Sequence, residues 1–120
     1  MEQREMESVT VFNAKNRENI TISTSYIFIF IGAQPRTDWL SGIIERDKNG
    51  FILTGPDLMP DRNSRPRGWT VDRDPFLLET NIPGVFAAGD VHLGSVKRVA
   101  SGVGDGAIAI QFVHQYLTKV

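Results

Sequence analysis

The chain has 120 residues, is 41% hydrophobic and 22% charged, and so suits one globular domain or part of a larger one. Thirteen basic against fourteen acidic side chains leave a net charge of -1, which argues against a nucleic-acid or anionic-membrane surface, since both need a concentrated positive field. The lack of cysteine excludes disulfides, thiolate metal sites and a redox dithiol within the chain.

The opening stretch "MEQREMES" is charged and has no apolar core, so no signal peptide is readable and a cytoplasmic location is expected. Residues 7–23 alternate in polarity. Val9 and Val11 share one face, Ile20 and Ile22 another, and "NAKNREN" between them is rich in turn formers. This predicts a β-hairpin with one solvated face. "YIFIFI", Tyr26 to Ile31, is apolar throughout and predicts a strand buried on both faces. It is far too short to span a bilayer. "TDWLSGII" predicts a short helix behind a Thr37 or Asp38 cap, and "KNG" followed by "FILT" a turn into another strand.

Residues 55–75 break the pattern. Pro56, Pro60, Pro66 and Pro75 punctuate them, and Arg62, Arg65, Arg67 and Arg73 interleave with Asp57, Asp61, Asp72 and Asp74. A solvated loop with mixed charge is expected, with one short strand possible around Trp69 to Val71 and partner binding as the rival role. "FLLETNIPGVFAAGD" then gives two apolar pieces about a turn at Pro83-Gly84. Residues 96–118 form the one long helical pattern, with Val96, Val99, Val103, Ala107, Ile110, Val113 and Leu117 at three- and four-residue steps.

That helix contains Gly102, Gly104 and Gly106. Each costs about 1 kcal/mol against alanine inside a helix. Close approach of the helix backbone to a sheet or a flat ligand, which side chains would block, is the expected compensation, with helix-on-strand packing alone as the alternative.

The order strand, Gly89-Asp90, short loop, helix start is the chemically suggestive one. Ligands of open parallel sheets bind beyond the carboxyl ends of the strands. A helix amino end offers free N–H groups and a positive half-charge. Asp90, meeting such a place straight after "VFAAG", would otherwise be an expensive unpaired carboxylate. The competing reading is a carboxylate that caps an ordinary turn. His92 reads as an exposed loop histidine, His114 as half-buried on the helix, and Trp39 and Trp69 as core or interface anchors. No nucleophile–base pair and no metal cluster is visible.

"TNIPGVFAAGDV", Thr80 to Val91, resembles the second FAD fingerprint of flavoproteins with two dinucleotide-binding domains. Thr80, Val85, Phe86, Ala87, Gly89 and Asp90 match it. "SVKRVASGVGDGAIAIQFVHQYL" is similar to the last helix of the bacterial-type thioredoxin reductases, and "YIFIFIGAQPRT" to that family's strand and turn near the domain junction. The likeness runs from about Val9 to Leu117.

The resemblance implies an α/β fold: a partial FAD/NAD(P)-binding three-layer (ββα) domain with a β-hairpin and short strands followed by one long C-terminal helix. Residues 1–24 would be the closing hairpin of a nicotinamide-binding domain or a linker, and residues 25–120 the carboxyl-terminal half of a split FAD-binding domain. Asp90 would accept a hydrogen bond from the ribityl chain, and Gly89 would let the backbone come close to it. Lys97, Arg98 and Val99 fall where the family has Arg-Gln-Ala against the flavin ring, with their backbone amides facing its pyrimidine edge. Lys97-Arg98 in place of Arg-Gln departs from the family at the side chains and leaves the amides unaffected.

Missing from the sequence are the G-x-G-x-x-G loop and the Cys-x-x-Cys pair. "GVGDG" looks like part of such a loop but sits inside the helix. The chain therefore resembles the carboxyl-terminal third of a larger oxidoreductase that passes hydride from NAD(P)H through FAD to a disulfide or other acceptor. The fragment alone is expected to be inactive. Its partners would be the remainder of the flavoenzyme, a second copy in a homodimer, and a thioredoxin-like or other acceptor, with no nucleic acid and no membrane. A non-catalytic binding or regulatory module, a structural remnant and a ferredoxin–NADP reductase-type relative are the alternatives. The sequence ends soon after its helix, without the tail that some ferredoxin-type relatives lay over the flavin, which favours the thioredoxin-reductase side.

Without its partner segments, the chain is expected to expose apolar surface around Tyr26 to Ile31 and Val85 to Ala88 and to self-associate. Size-exclusion chromatography at rising concentration checks this: a compact monomer throughout would count against it.

Overall fold

The computed structural model describes residues 5–120. Residues 1–4, part of the expected 1–24 segment, lie outside the described residues. The chain divides into two units, one up to Gly32 and one from Ala33 onward.

The first unit is built on the expected hairpin. Strand β1 (Ser8–Asn13) pairs antiparallel with β2 (Glu18–Ser23), Val9 opposite Ile22 and Val11 opposite Ile20. Asn13 and Asn16 make the turn. The Asn13 side chain accepts the Lys15 N–H, the Asn16 side chain accepts the Glu18 N–H, and Arg17 takes a left-handed φ of 58°. Tyr26 to Ile31 departs from expectation. The run belongs to no strand, and its side chains are 54–91% exposed. Burial on both faces needs neighbouring strands and a covering layer, and the described residues supply neither to this run.

In the second unit, isolated pairings replace regular strands. Ile52 pairs antiparallel with Arg46 and parallel with His92. Its N–H donates to Val91 O, and its carbonyl accepts from Leu93 N. This one-residue-wide ladder is the only parallel pairing among the described residues. Ile44, Ile52 and Ala87 form the core, with Leu40, Ile82 and Val91 packed on it. The helix expected from "TDWLSGII" shrinks to a single 3₁₀ turn, Asp38–Leu40. Thr37 does not cap it. Its hydroxyl instead bonds the Gly50 carbonyl and accepts from Arg46, closing the Arg46–Ile52 turn.

Residues 55–75 hold a 3₁₀ turn, Gly55–Leu58, and no strand at Trp69 to Val71. Their charges separate into two sets. Arg65 pairs with Asp72 and Asp74 at the surface, where ion pairs contribute little. Arg73 turns inward and grips Glu79, which is fully buried, through both guanidinium nitrogens at 2.7 and 2.8 Å. The same carboxylate accepts the N–H groups of Phe76 and Gly84, each at 2.8 Å. Burial alone would push the Glu79 carboxyl up, but Arg73 and these two N–H groups outweigh it and hold the group below the ordinary carboxylate range. Leu78, just before it, is buried with φ at +67°, a conformation that a branched side chain adopts only under constraint. The Ala87 N–H on its carbonyl and the Thr80–Val85 bond tie it into the turn at Ile82 to Gly84.

Helix α1 (Val99–Thr118) confirms the long helix but presents a different face. The stripe read from the sequence points largely outward: Val99 is 89% exposed, Val103 69%, and Ile110 and Leu117 62% each. The half-covered face runs through Gly102, Asp105, Ala109, Phe112 and Tyr116. Phe112 stacks on Phe76 at 5.1 Å, and the Arg73 guanidinium lies 3.8 Å from the Phe76 ring centre on the way to Glu79. Gly84, at φ +81°, must be glycine: a Cβ there would lie 2.7 Å from the Tyr116 ring. Both helix faces are apolar, so periodicity alone could not choose between them. No helix of the described residues is long and apolar enough to cross a membrane.

Replacing Glu79 with Gln leaves the Arg73 charge buried without its counter-ion. The expected loss is about 3–5 kcal/mol of stability, read from urea or thermal unfolding. A loss within the scatter of surface substitutions would refute the structural weight given to this pair.

Candidate functional site

The loop Gly89 to Arg98 and the opening of α1 form the candidate site. Gly89 sits at φ +80°, and a Cβ placed on it would meet nothing within 4 Å, so the turn is glycine for its conformation and leaves open space in front of the peptide. Asp90 is exposed, and its carboxylate has no hydrogen-bond partner among the described residues. Its backbone carbonyl accepts from the Lys97 ammonium at 3.4 Å. That same ammonium donates to Ser95 Oγ at 3.0 Å and lies 4.4 Å from the centre of the Phe51 ring. The Lys97 side chain is thus spent on holding the loop together, and it ties the Asp90 end of the turn to the approach of α1.

Arg98 is the N-cap of α1, with extended φ and ψ of -135° and 142° and no side-chain cap. The helix begins at Val99, three residues later than the pattern from Val96 predicts. Its first intrahelical bond is Gly102 N to Arg98 O at 3.1 Å. Among the described residues no acceptor meets the N–H groups of Val99, Ala100 and Ser101, and no acidic side chain sits in the first turn. This helix mouth therefore keeps its donors and its positive half-charge free for an electron-rich group.

Sequence reasoning missed Asp105 and misjudged His92. His92 is 8% exposed, not a solvent-facing loop residue. Its Nε2 lies 2.8 Å from Asp105 Oδ2, and its Nδ1 lies 2.8 Å from the Leu93 carbonyl oxygen. Asp105 Oδ2 also accepts the Gly89 N–H at 3.0 Å. The hydrogen bond from His92 first, and that from Gly89 after it, hold the Asp105 carboxyl below its ordinary range against the opposing effect of burial. The available signal was an aspartate set among the three glycines of α1, on the side where close backbone approach was expected. Of those glycines only Gly102 shows such an approach, its Cβ position lying 3.9 Å from the Gly89 Cα. Gly104 and Gly106 face open space.

Thr80 is buried at 1% exposure and accepts the Ile82 N–H on its hydroxyl, so here it shapes the turn. His114 is exposed, not half-buried. Trp69 is half-buried and donates to the Arg73 carbonyl at 2.7 Å, as an anchor. Trp39 is 77% exposed at the rim of an apolar cavity of about 590 Å³ bounded by Leu40, Ile43, Ile82, Val85 and Phe86. The expected apolar surface at Val85 to Ala88 is only partial, since Ala87 is buried in the core while Val85 is 42% exposed.

With its β-hairpin, glycine-aspartate turn and long C-terminal helix, the chain is similar to a segment of the pyridine nucleotide-disulfide oxidoreductases. The homologues are thioredoxin reductases and related enzymes of that type. The chain is 31% identical to the thioredoxin reductase of Peptoclostridium litorale over 98% of its own length and 30% of the relative's. It is 30% identical to a 34.2 kDa protein of the rubredoxin operon of Clostridium pasteurianum, over 96% of this chain and 31% of that one. The crystal structure of thioredoxin reductase from Streptococcus pyogenes superposes with a TM-score of 0.61 at 28% identity, covering 97% of this chain and 31% of that chain. No protein-family model matches. The chain thus spans 30–31% of the length of these relatives.

A Cβ at Gly104 or Gly106 would meet nothing within 4 Å among the described residues, so Gly104→Ala and Gly106→Ala are each expected to raise stability by up to about 1 kcal/mol, measured by thermal unfolding. Destabilisation by either would show that the helix backbone meets a neighbour there.

Proposed function

We propose that this chain is the carboxyl-terminal part of a split FAD-binding domain in a thioredoxin-reductase-like flavoenzyme. One observation carries the reading: the Asp90 carboxylate, without a partner among the described residues, stands at the end of a turn that Lys97 ties to a helix mouth whose first N–H groups meet no acceptor among them. The residues present fit the cofactor. Gly89 offers an open peptide edge where a Cβ would otherwise stand. Asp90 is the acceptor for a ribityl hydroxyl, and the backbone amides of Lys97 and Val99 are the donors to the electron-rich pyrimidine edge of the ring, whereas the Arg98 N–H that the resemblance also assigned to the ring donates to the Val96 carbonyl at 2.7 Å. Their side chains do other work, since that of Lys97 is folded onto Phe51.

Bound FAD would supply the redox chemistry, taking hydride from a nicotinamide cofactor held elsewhere in the parent and passing it to a disulfide acceptor such as a thioredoxin. This segment supplies binding, orientation and electrostatics. On this reading residues 1–24 close the nicotinamide-binding domain, and residues 25–120 complete the FAD domain. The remainder of the flavoenzyme covers Tyr26 to Ile31 and the apolar cavity beside Trp39, and the whole works as a homodimer. A thiol-reducing enzyme belongs in a reducing compartment, so the cytoplasm is its proposed place.

The test is a chimera in which this chain replaces the matching segment of the Streptococcus pyogenes enzyme. It is expected to purify with visible flavin absorbance. Asp90→Ala in that chimera is expected to weaken FAD binding about tenfold or more, the loss of a hydrogen bond to a charged acceptor. A folded chimera, judged by circular dichroism, that carries no flavin would overturn the reading.

A further inference from the structure

Asp105 and His92 make a lock with no counterpart in the cofactor contacts just described. A single oxygen, Asp105 Oδ2, accepts from the Gly89 backbone and from His92 Nε2 together. The Asp105 and His92 side chains are 22% and 11% exposed, so the junction is largely shielded from water. His92 is fixed at its other nitrogen by the Leu93 carbonyl. Three residues earlier on the same helix face, Gly102 lets α1 approach the Gly89 backbone. The two aspartates therefore divide the work. Asp105 satisfies the peptide of the turn from inside, and the neighbouring Asp90 carboxylate is left unpaired and facing out.

We propose that Asp105 and His92 are positioning residues that fasten the Gly89-Asp90 turn to the flank of α1, so that the Asp90 carboxylate and the free N–H groups of the helix mouth face one ligand. The inference rests on the flavin reading only in naming what the turn is held toward. Because both bonds share one oxygen, both weaken when that carboxylate is protonated.

His92 is the titratable side chain that faces Asp105 from the loop, and between Val99 and Ile110 the helix carries no other titratable group. The Lys97 ammonium is engaged with Asp90 O, Ser95 and Phe51, and the Asp90 carboxylate is exposed. The Asp105 carboxyl is held below its ordinary value, with His92 as the first cause. Its contribution is therefore fully present above the ordinary aspartate value of about 3.9 and is lost as pH falls through the lower value of the folded state.

The Gly89 amide resonance in ¹H–¹⁵N spectra of the 120-residue chain carrying Asp90→Asn, which removes the carboxylate adjoining Gly89, reads this directly, without flavin. An acid-induced step is expected with its midpoint below the ordinary aspartate value. Adding His92→Ala is expected to move that midpoint upward, and adding Asp105→Asn to abolish the step. A Gly89 amide with no such step in the Asp90→Asn chain, or a step below the ordinary aspartate value that survives Asp105→Asn, would overturn the lock. Should the Asp105→Asn chain fail to fold, the Asp90→Asn chain with and without His92→Ala still decides. In the flavin-binding chimera Asp105→Asn is expected to weaken FAD binding about tenfold, and unchanged affinity would overturn the positioning role. A chimera without flavin whose Gly89 amide still steps would overturn the flavin reading and leave the lock standing.

Discussion

The second unit of this chain is organised around one buried carboxylate. Glu79 draws together four donors from three places: Arg73 from the charged loop, Phe76 just ahead of it and Gly84 from the far side of the turn. Arg73 in turn lies on Phe76, and Phe76 on Phe112 of α1. A charge placed in a small interior is tolerable only when its bonding capacity is used up. Here that requirement joins loop, turn and helix, and it holds Leu78 in a backbone conformation it would not choose alone. With so few regular strands, this polar junction does for the unit what a sheet does in a larger domain.

The functional end is built on the opposite economy, in which some groups are satisfied and others left free. The Lys97 side chain is used internally, and Asp105 and His92 pin the turn from below. Among the described residues, the Asp90 carboxylate and the first N–H groups of α1 are left without a partner. Acceptor and donors of this kind suit a ligand that is hydroxylated along its chain and electron-rich at one edge. The helix is fixed at both ends of its covered face, by Gly102 near the mouth and Tyr116 near the close. Any tilt of its axis would therefore be felt at the site.

Local chemistry was legible in the sequence, and the partners of charged groups were not. The hairpin, the turn at Pro83-Gly84 and the existence of α1 follow from alternation, turn formers and helical spacing over short distances. "GVFAAGD" and the helix after it were enough to mark Gly89, Asp90 and Lys97 to Val99 as a candidate site. Two readings failed for the same physical reason. Arg73 and His92 looked like surface residues because their counter-charges, Glu79 and Asp105, sit on other elements, and one-dimensional charge patterning carries no sign of such pairings. The helix face was misread because α1 is apolar on both sides and packs here through its small and aromatic residues. The strand read from Tyr26 to Ile31 needs neighbours that the described residues do not provide.

The parallel pairing of Ile52 with His92 spans a long stretch of chain. Its two halves are joined by the entire loop and turn that Glu79 organises, and closing so long a connection costs chain entropy that only later contacts recover. Every contact of the Glu79 junction shortens the loop this ladder has to close, so junction and ladder reinforce one another. Loosening the interior at Glu79 would thereby be felt at Ile52 and His92, on the segment that leads into α1.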